Sequence, residues 1–223
     1  QGYSAHDLSR VTVVPNPNDS LVRVVAVGRL SLFGPGATRL HDHLVSVAAQ
    51  WLESKGGAHL KPFADEADRK ALDTIEQLLA ASPTLEDISQ TVQDKLRASA
   101  KDDFAALWPH IQDEAESLAH DAMQKLQDRG AIEADGLRQI LEGQRAAISA
   151  EINKREQTEF EFTEGQRQER EQFEQDAKHM SARLKRIDQE LADEPGQIDA
   201  LYKVSVRRLE PVGLVYLWPE TRL

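Results

Sequence analysis

The chain has 223 residues, 40% of them hydrophobic and 29% charged, with a net charge of −11 and no cysteine. That length supports one or two domains with a real core, and the missing cysteine excludes disulfides, cysteine-type zinc sites, iron–sulfur clusters and thiol catalysis. No apolar run reaches the roughly 20 residues of a membrane-spanning helix, and no basic-then-apolar leader opens the chain, so a cytoplasmic protein without membrane contact is expected.

The charge is unevenly spread. Residues 1–63 carry a net +2, residues 64–130 a net −8, residues 131–197 a net −6 and residues 198–223 a net +1. An acidic middle therefore lies between two near-neutral ends. Position 1 is Gln, and the chain stops at Thr221-Arg222-Leu223 just after an apolar run, which suggests a piece of a longer polypeptide.

In chain order, Val11–Val14 reads as a strand stopped by Pro15-Asn16-Pro17-Asn18-Asp19. Leu21–Phe33 follows as a longer strand. Its Val22, Val24, Ala26, Leu30 and Leu32 share one parity and Arg23, Arg29 and Ser31 the other, giving one buried and one largely wet face. After the turn Gly34-Pro35-Gly36, the stripe Leu40, Leu44, Val47, Ala48, Trp51 and Leu52 has helical spacing. Thr38 as N-cap and Gly56-Gly57 as stop bound an expected helix packed on the strands.

A helix is expected over 64–81, with Asp65 and Glu66 in its first turn and Ala71, Leu72, Ile75, Leu78 and Leu79 inward. Thr84 with Asp87 resembles a capping box for a helix over 85–129, whose stripe runs from Leu85 to Leu126 and spans about 68 Å at about 1.5 Å per residue. Pro109 predicts a kink and Gly130 a C-cap. A further helix over 133–193 opens with Leu137, Leu141, Ile148 and Ile152. It closes with Phe173, Ala177, Met180, Leu184, Ile187 and Leu191, a coiled-coil seam available to a partner helix. Between them 154–172 is almost wholly polar, an exposed arm or a frayed break.

Glu194-Pro195-Gly196 is expected to end the helix. Tyr202, Val204 and Val206 then alternate with polar residues, and Val212–Trp218 is apolar on both parities, as in a central strand, with Pro211 and Gly213 marking a bulge. The implied fold is α+β. A small antiparallel sheet of the N- and C-terminal strands, with helices on it, forms a base from 1–63 and 197–223, and a long antiparallel helical hairpin over 64–196 is inserted between them.

No catalytic, cofactor or metal site emerges. Asp65-Glu66-Ala67-Asp68 spells a helicase metal box but opens a helix, and no G-x-x-x-x-G-K-[ST] loop accompanies it. On a helix, His41 and His43 diverge by about 200°. His110 with Glu114, and Glu116 with His120, are four residues apart and need no more than a surface contact to explain them. The acidic helices repel phosphate, so a nucleic-acid contact would fall to basic strand ends, chiefly Arg23, Arg29, Arg207 and Arg208, with Arg39 and Lys203 nearby.

Phe173-Glu174-Gln175-Asp176, Arg183-Leu184, Glu190-Leu191, Glu194-Pro195 and Tyr202-Lys203-Val204 lead into the run Leu209-Glu210-Pro211-Val212-Gly213-Leu214-Val215-Tyr216-Leu217-Trp218-Pro219. This stretch resembles the end of bacterial Swi/Snf-type superfamily-two helicases, in particular the helicase of the DISARM phage-defence system. Leu137–Glu142 with Gln144-Arg145 resembles that family's helical region. The resemblance implies a parent that couples ATP and Mg to movement on DNA, with motor domains N-terminal to this segment. This chain would hold no cofactor itself and would be a non-catalytic accessory domain touching the motor and other proteins. The alternatives are a stand-alone coiled-coil scaffold or dimerisation protein, and a DNA-binding module using the strand-end arginines.

Overall fold

The computed structural model describes residues 8, 10–17, 19–52, 60–62, 65–81, 88–158 and 167–219. It is α+β, with five strands and three α-helices among the described residues. These are β1 (Val11–Asn16), β2 (Arg23–Phe33), β3 (Arg39–Trp51), β4 (Leu60–Pro62), α1 (Asp65–Ala81), α2 (Gln90–Thr158), α3 (Arg167–Leu201) and β5 (Val206–Pro219). The chain divides into two compact units, one of Gln1–Phe33, Ala37–Ala122 and Val204–Leu223, the other of Gly34–Gly36 and Met123–Lys203.

In the first unit the strands form one sheet in the order β1-β5-β2-β3-β4, so the N- and C-terminal strands do pair. The sheet is mixed rather than antiparallel, because β1 runs parallel to β5, with Val11 opposite Leu214. The both-faces-apolar run of β5 lies between β1 and β2, as a covered strand should. The register against β2 shifts between Val27 and Gly28, pairing Gly213 with Val27 and Pro211 with Gly28, which leaves Val212 as the extra residue of a bulge.

Helices cover the sheet on two sides. On one face Ala71 of α1 packs with Val25 and Ala48, and Leu78 with Val14 and Leu217. On the other face the first half of α2 lies so close that a Cβ on Gly28 would sit 3.0 Å from Ile111 Cγ2. Leu96, Phe104, Leu107 and Ile111 of α2 are fully buried, as are Val24, Ala26, Leu30 and Leu32 of β2. The opposite parity of β2 is less wet than its sequence suggests, since α1 buries Val25, and Ser31 is also buried.

The segment after Gly34-Pro35-Gly36 is a strand, not a helix. A 3-10 turn at Pro35–Ala37, with Gly36 and Ala37 at positive φ, returns the chain into β3, which pairs with β2 from Gln50 opposite Arg23 to Arg39 opposite Phe33. The same segment carries a second apolar set at a period of 2.0, Val45, Val47, Ala49 and Trp51 on one face, which shares only Val47 and Trp51 with the helical stripe, and β-branched residues beside an open β2 edge resolve the ambiguity toward strand. Gly56-Gly57 and the Thr84–Asp87 box lie outside the described residues.

The helix boundaries also differ from expectation. α2 runs through both Pro109 and Gly130 to Thr158, and α3 through Pro195 to Leu201. The described helices therefore end at Thr158 and resume at Arg167, and no helix end falls at Gly130. Gly130 is not a cap but a contact point, where an added Cβ would lie 3.0 Å from Tyr202 Cβ. Tertiary contact there overrides a helix-propensity cost of about 1 kcal/mol. α1 and the first half of α2 belong with the sheet, so the hairpin proper is the second unit, smaller than the 64–196 arm. None of the described helices is long and apolar enough to cross a membrane.

Candidate interaction surfaces

Within the first unit the polar end of the sheet face beyond α1 is organised around Asp42. Residues directly opposite in an antiparallel pair share a face, so Ser31 and Asp42 of β2 and β3 lie side by side with Arg208 of β5, and Arg29 lies beside Leu44 and Glu210. Asp42 accepts hydrogen bonds from Arg29 Nε (2.8 Å), Ser31 Oγ (2.9 Å) and Arg39 Nη1 (3.2 Å), and Arg29 Nη2 closes a bidentate pair. The Arg29 hydrogen bond is the main reason the Asp42 carboxyl is held well below the usual carboxylate range, and the same bond raises the Arg29 guanidinium. Arg39 also stacks its guanidinium over Phe33, 5.7 Å from the ring centre.

The four arginines singled out from the sequence do not make one basic surface. Arg29 and Arg208 share the face just described, whereas Arg207, opposite Leu32, lies on the face that α2 covers. Each meets a carboxylate: Arg23 with Asp19, Arg29 with Asp42, Arg207 with Glu116 (3.5 Å) and Arg208 with Glu210 (2.5 Å). His41 and His43 do not diverge, because β3 puts them on one face with their rings stacked at 6.1 Å.

The buried carboxylate among the described residues of this unit is Asp103 on α2, 4% exposed. It accepts from Trp51 Nε1 (3.1 Å) on β3 and from the Tyr216 hydroxyl (2.5 Å) on β5. Burial first, and then the Asp103 carboxylate, push the Tyr216 hydroxyl well above its ordinary pKa. Asp103 interrupts the apolar stripe Ala100, Phe104, Leu107, and a charge inside such a stripe is the signal that marks it in the sequence.

In the second unit the rest of α2 and all of α3 form an antiparallel pair. Arg155 of α2 meets Asp176 of α3 (3.1 Å), Arg145 meets Asp188 (3.0 Å), and Arg183 Nη2 donates to Gln144 (3.0 Å). The seam residues line this contact. Ile187 is fully buried, while Phe173, Ala177, Met180, Leu184 and Leu191 are half-buried. Arg155 also stacks over Phe173, and hydrogen bonds from it to Glu151 and Asp176 raise its pKa. At the other end the Tyr202 hydroxyl donates to Glu133 (2.6 Å), Arg129 binds the same carboxylate (2.9 Å), and the two together lower Glu133, Tyr202 contributing most.

Among the described residues no group of three or more His, Asp or Glu side chains is placed to hold a metal. Comparison with known proteins gives no matching family model, no matching curated protein and no matching solved structure.

Proposed function

We propose that the chain is a non-catalytic interaction module, an accessory domain of an ATP-dependent DNA helicase or translocase in phage defence. The observation that carries this reading is the hairpin of the second unit. Residues 123–203 hold 18 acidic and 13 basic side chains, and the apolar seam is spent on the partner helix of the same chain. A rigid two-helix rod with a charged, acidic exterior suits contact with a basic protein surface better than contact with phosphate. The run Leu209–Pro219, which carries the family resemblance, is the buried central strand β5 and so supports a shared base rather than a shared site.

The competing readings are weaker on the same geometry. Dimerisation through the coil would need the seam that α2 already occupies. DNA binding through Arg23, Arg29, Arg207 and Arg208 would need to break four carboxylate pairs.

The test uses this chain and the polypeptide that contains it. The isolated chain hydrolyses ATP at background level, and turnover that survives repurification would overturn the reading. In the containing polypeptide, replacing residues 123–203 by a short Gly-Ser bridge leaves nucleotide binding intact and abolishes DNA translocation. Undiminished translocation, or a containing polypeptide without nucleotide-dependent activity, would equally refute it.

A further inference from the structure

As a strand, β3 gives His41 and His43 a relationship that a helix would deny them. Residues two apart on a strand point to the same side, and the two imidazole rings stack with centroids 6.1 Å apart and planes inclined by 18°. On that face His43 lies opposite Leu30 and His41 opposite Leu32, both leucines being fully buried. His41 is half-buried and His43 exposed, so the pair stands where the apolar floor of the sheet meets solvent.

Among the described residues no hydrogen bond or ion pair engages either ring. Asp42, between them in sequence, points to the other face and is satisfied there by Arg29, Ser31 and Arg39. The cation on the histidine face, Arg207 opposite Leu32, has its charge met by Glu116 at 3.5 Å. An incoming cation at the pair therefore meets two imidazoles and little opposing charge.

Imidazole nitrogen suits zinc, copper and nickel, and binds zinc at about 2.0–2.1 Å. Two such donors on one ion stand about 3 Å apart. The rings reach that separation by tilting toward each other about χ1 and χ2, a movement open to side chains at the solvent rim. Calcium and magnesium want oxygen ligands, which the pair does not offer. No third His, Asp or Glu among the described residues joins the two, so water fills the remaining positions.

We propose that His41 and His43 chelate one divalent transition-metal ion, copper(II) most tightly and zinc(II) more weakly, with water completing the coordination shell. The water-filled positions leave the bound ion open to a further ligand. This site is independent of the helicase reading, because it needs only the strand that carries the two histidines.

The full chain is titrated with Cu2+ and with Zn2+ by calorimetry at neutral pH. One Cu2+ site is expected, with Zn2+ weaker. His41→Ala and His43→Ala should each weaken Cu2+ about tenfold or more, while the helix variant His110→Ala with His120→Ala should leave it unchanged. The double exchange His43→Leu with Leu44→His keeps the number of histidines but turns one imidazole to the opposite face at a position already 60% exposed, and should bind as weakly as His43→Ala. Circular dichroism of each variant is expected to match that of the unaltered chain. In the unaltered chain, substoichiometric Cu2+ should broaden the imidazole signals of His41 and His43 before those of the other five histidines, a reading that needs no variant. Equal affinity after the double exchange, a site lost only in the helix variant, or broadening that begins at other histidines would each overturn the proposal.

Discussion

The Asp103 carboxylate on α2 receives the Tyr216 hydroxyl of β5 at 2.5 Å and the Trp51 indole N–H of β3 at 3.1 Å, so one buried acid fastens a helix to two strands that are not neighbours. Removing it would strand two buried donors. Asp103→Leu is therefore expected to destabilise the first unit by about 3–5 kcal/mol, and Tyr216→Phe by about 1–2 kcal/mol. Urea unfolding followed by tryptophan fluorescence would show the midpoint falling in that order with the slope unchanged.

The raised pKa of Tyr216 makes stability depend on alkaline pH. Its folded value lies above the unfolded value of about 10, so the stabilisation is complete below pH 10 and is lost as pH rises beyond it. Unfolding midpoints should be flat from neutral pH to about 10 and then fall. Tyr216→Phe should flatten the fall; an unaltered alkaline limb in that variant would count against the buried hydroxyl as its source.

Asp42 gives the acid counterpart. Its folded pKa is depressed, so its contribution is present above the unfolded value of about 3.9 and is lost as pH falls toward the folded one. Asp42→Asn should make the first unit less sensitive to acid below about pH 4 while leaving Arg29 unpaired at neutral pH. Chemical shifts of the Arg29 Nε–H, followed through an acid titration, check the partner directly.

Two glycines of α2 should respond oppositely to alanine. Nothing lies within 4 Å of a Cβ at Gly143, and Gly143→Ala should stabilise the hairpin by about 0.5–1 kcal/mol through helix propensity alone. Gly130→Ala gains the same propensity but forces Tyr202 away, and should lower the melting temperature. Thermal melts of the pair, read at 222 nm, would separate propensity from contact.

Ile187 is the only fully buried member of its seam, and Ile187→Ala should cost the hairpin about 2–5 kcal/mol. Hydrogen exchange should then accelerate across Arg167–Leu201 while β2 and β5 keep their protection. Uniform acceleration in both units would show instead that they unfold as one.

The sequence disclosed elements with a single period or strong punctuation. Val212–Trp218, apolar on both parities, became the covered central strand, and the bulge fell between Pro211 and Gly213. It misdirected where one segment carries two periods or where a breaker is overruled by packing. β3 satisfied helical spacing until its pairing with β2 decided the matter, and that one reversal hid the Arg29–Asp42–Ser31 cluster and the parallel rings of His41 and His43. Gly130 and Pro195 are poor helix residues, yet both lie within helices because α3 packs back on α2. Of the arginine–carboxylate pairs, Arg207 with Glu116 was illegible because it joins β5 to α2, and Arg29 with Asp42 because it depends on β3 being a strand beside β2.

The central position of β5 also sets the order in which the molecule can form. The start of β5 is tied to the end of β2 by Ser205, whose N–H and hydroxyl both reach the Phe33 carbonyl across 172 residues of chain. Until the final strand is made, β2 has only β3 beside it and β1 has no strand to join. The helical hairpin is what makes this affordable. By folding back on itself through local contacts, it shortens the effective loop between β2 and β5 to far less than its contour, so a sheet of high contact order closes at the entropic cost of a small one.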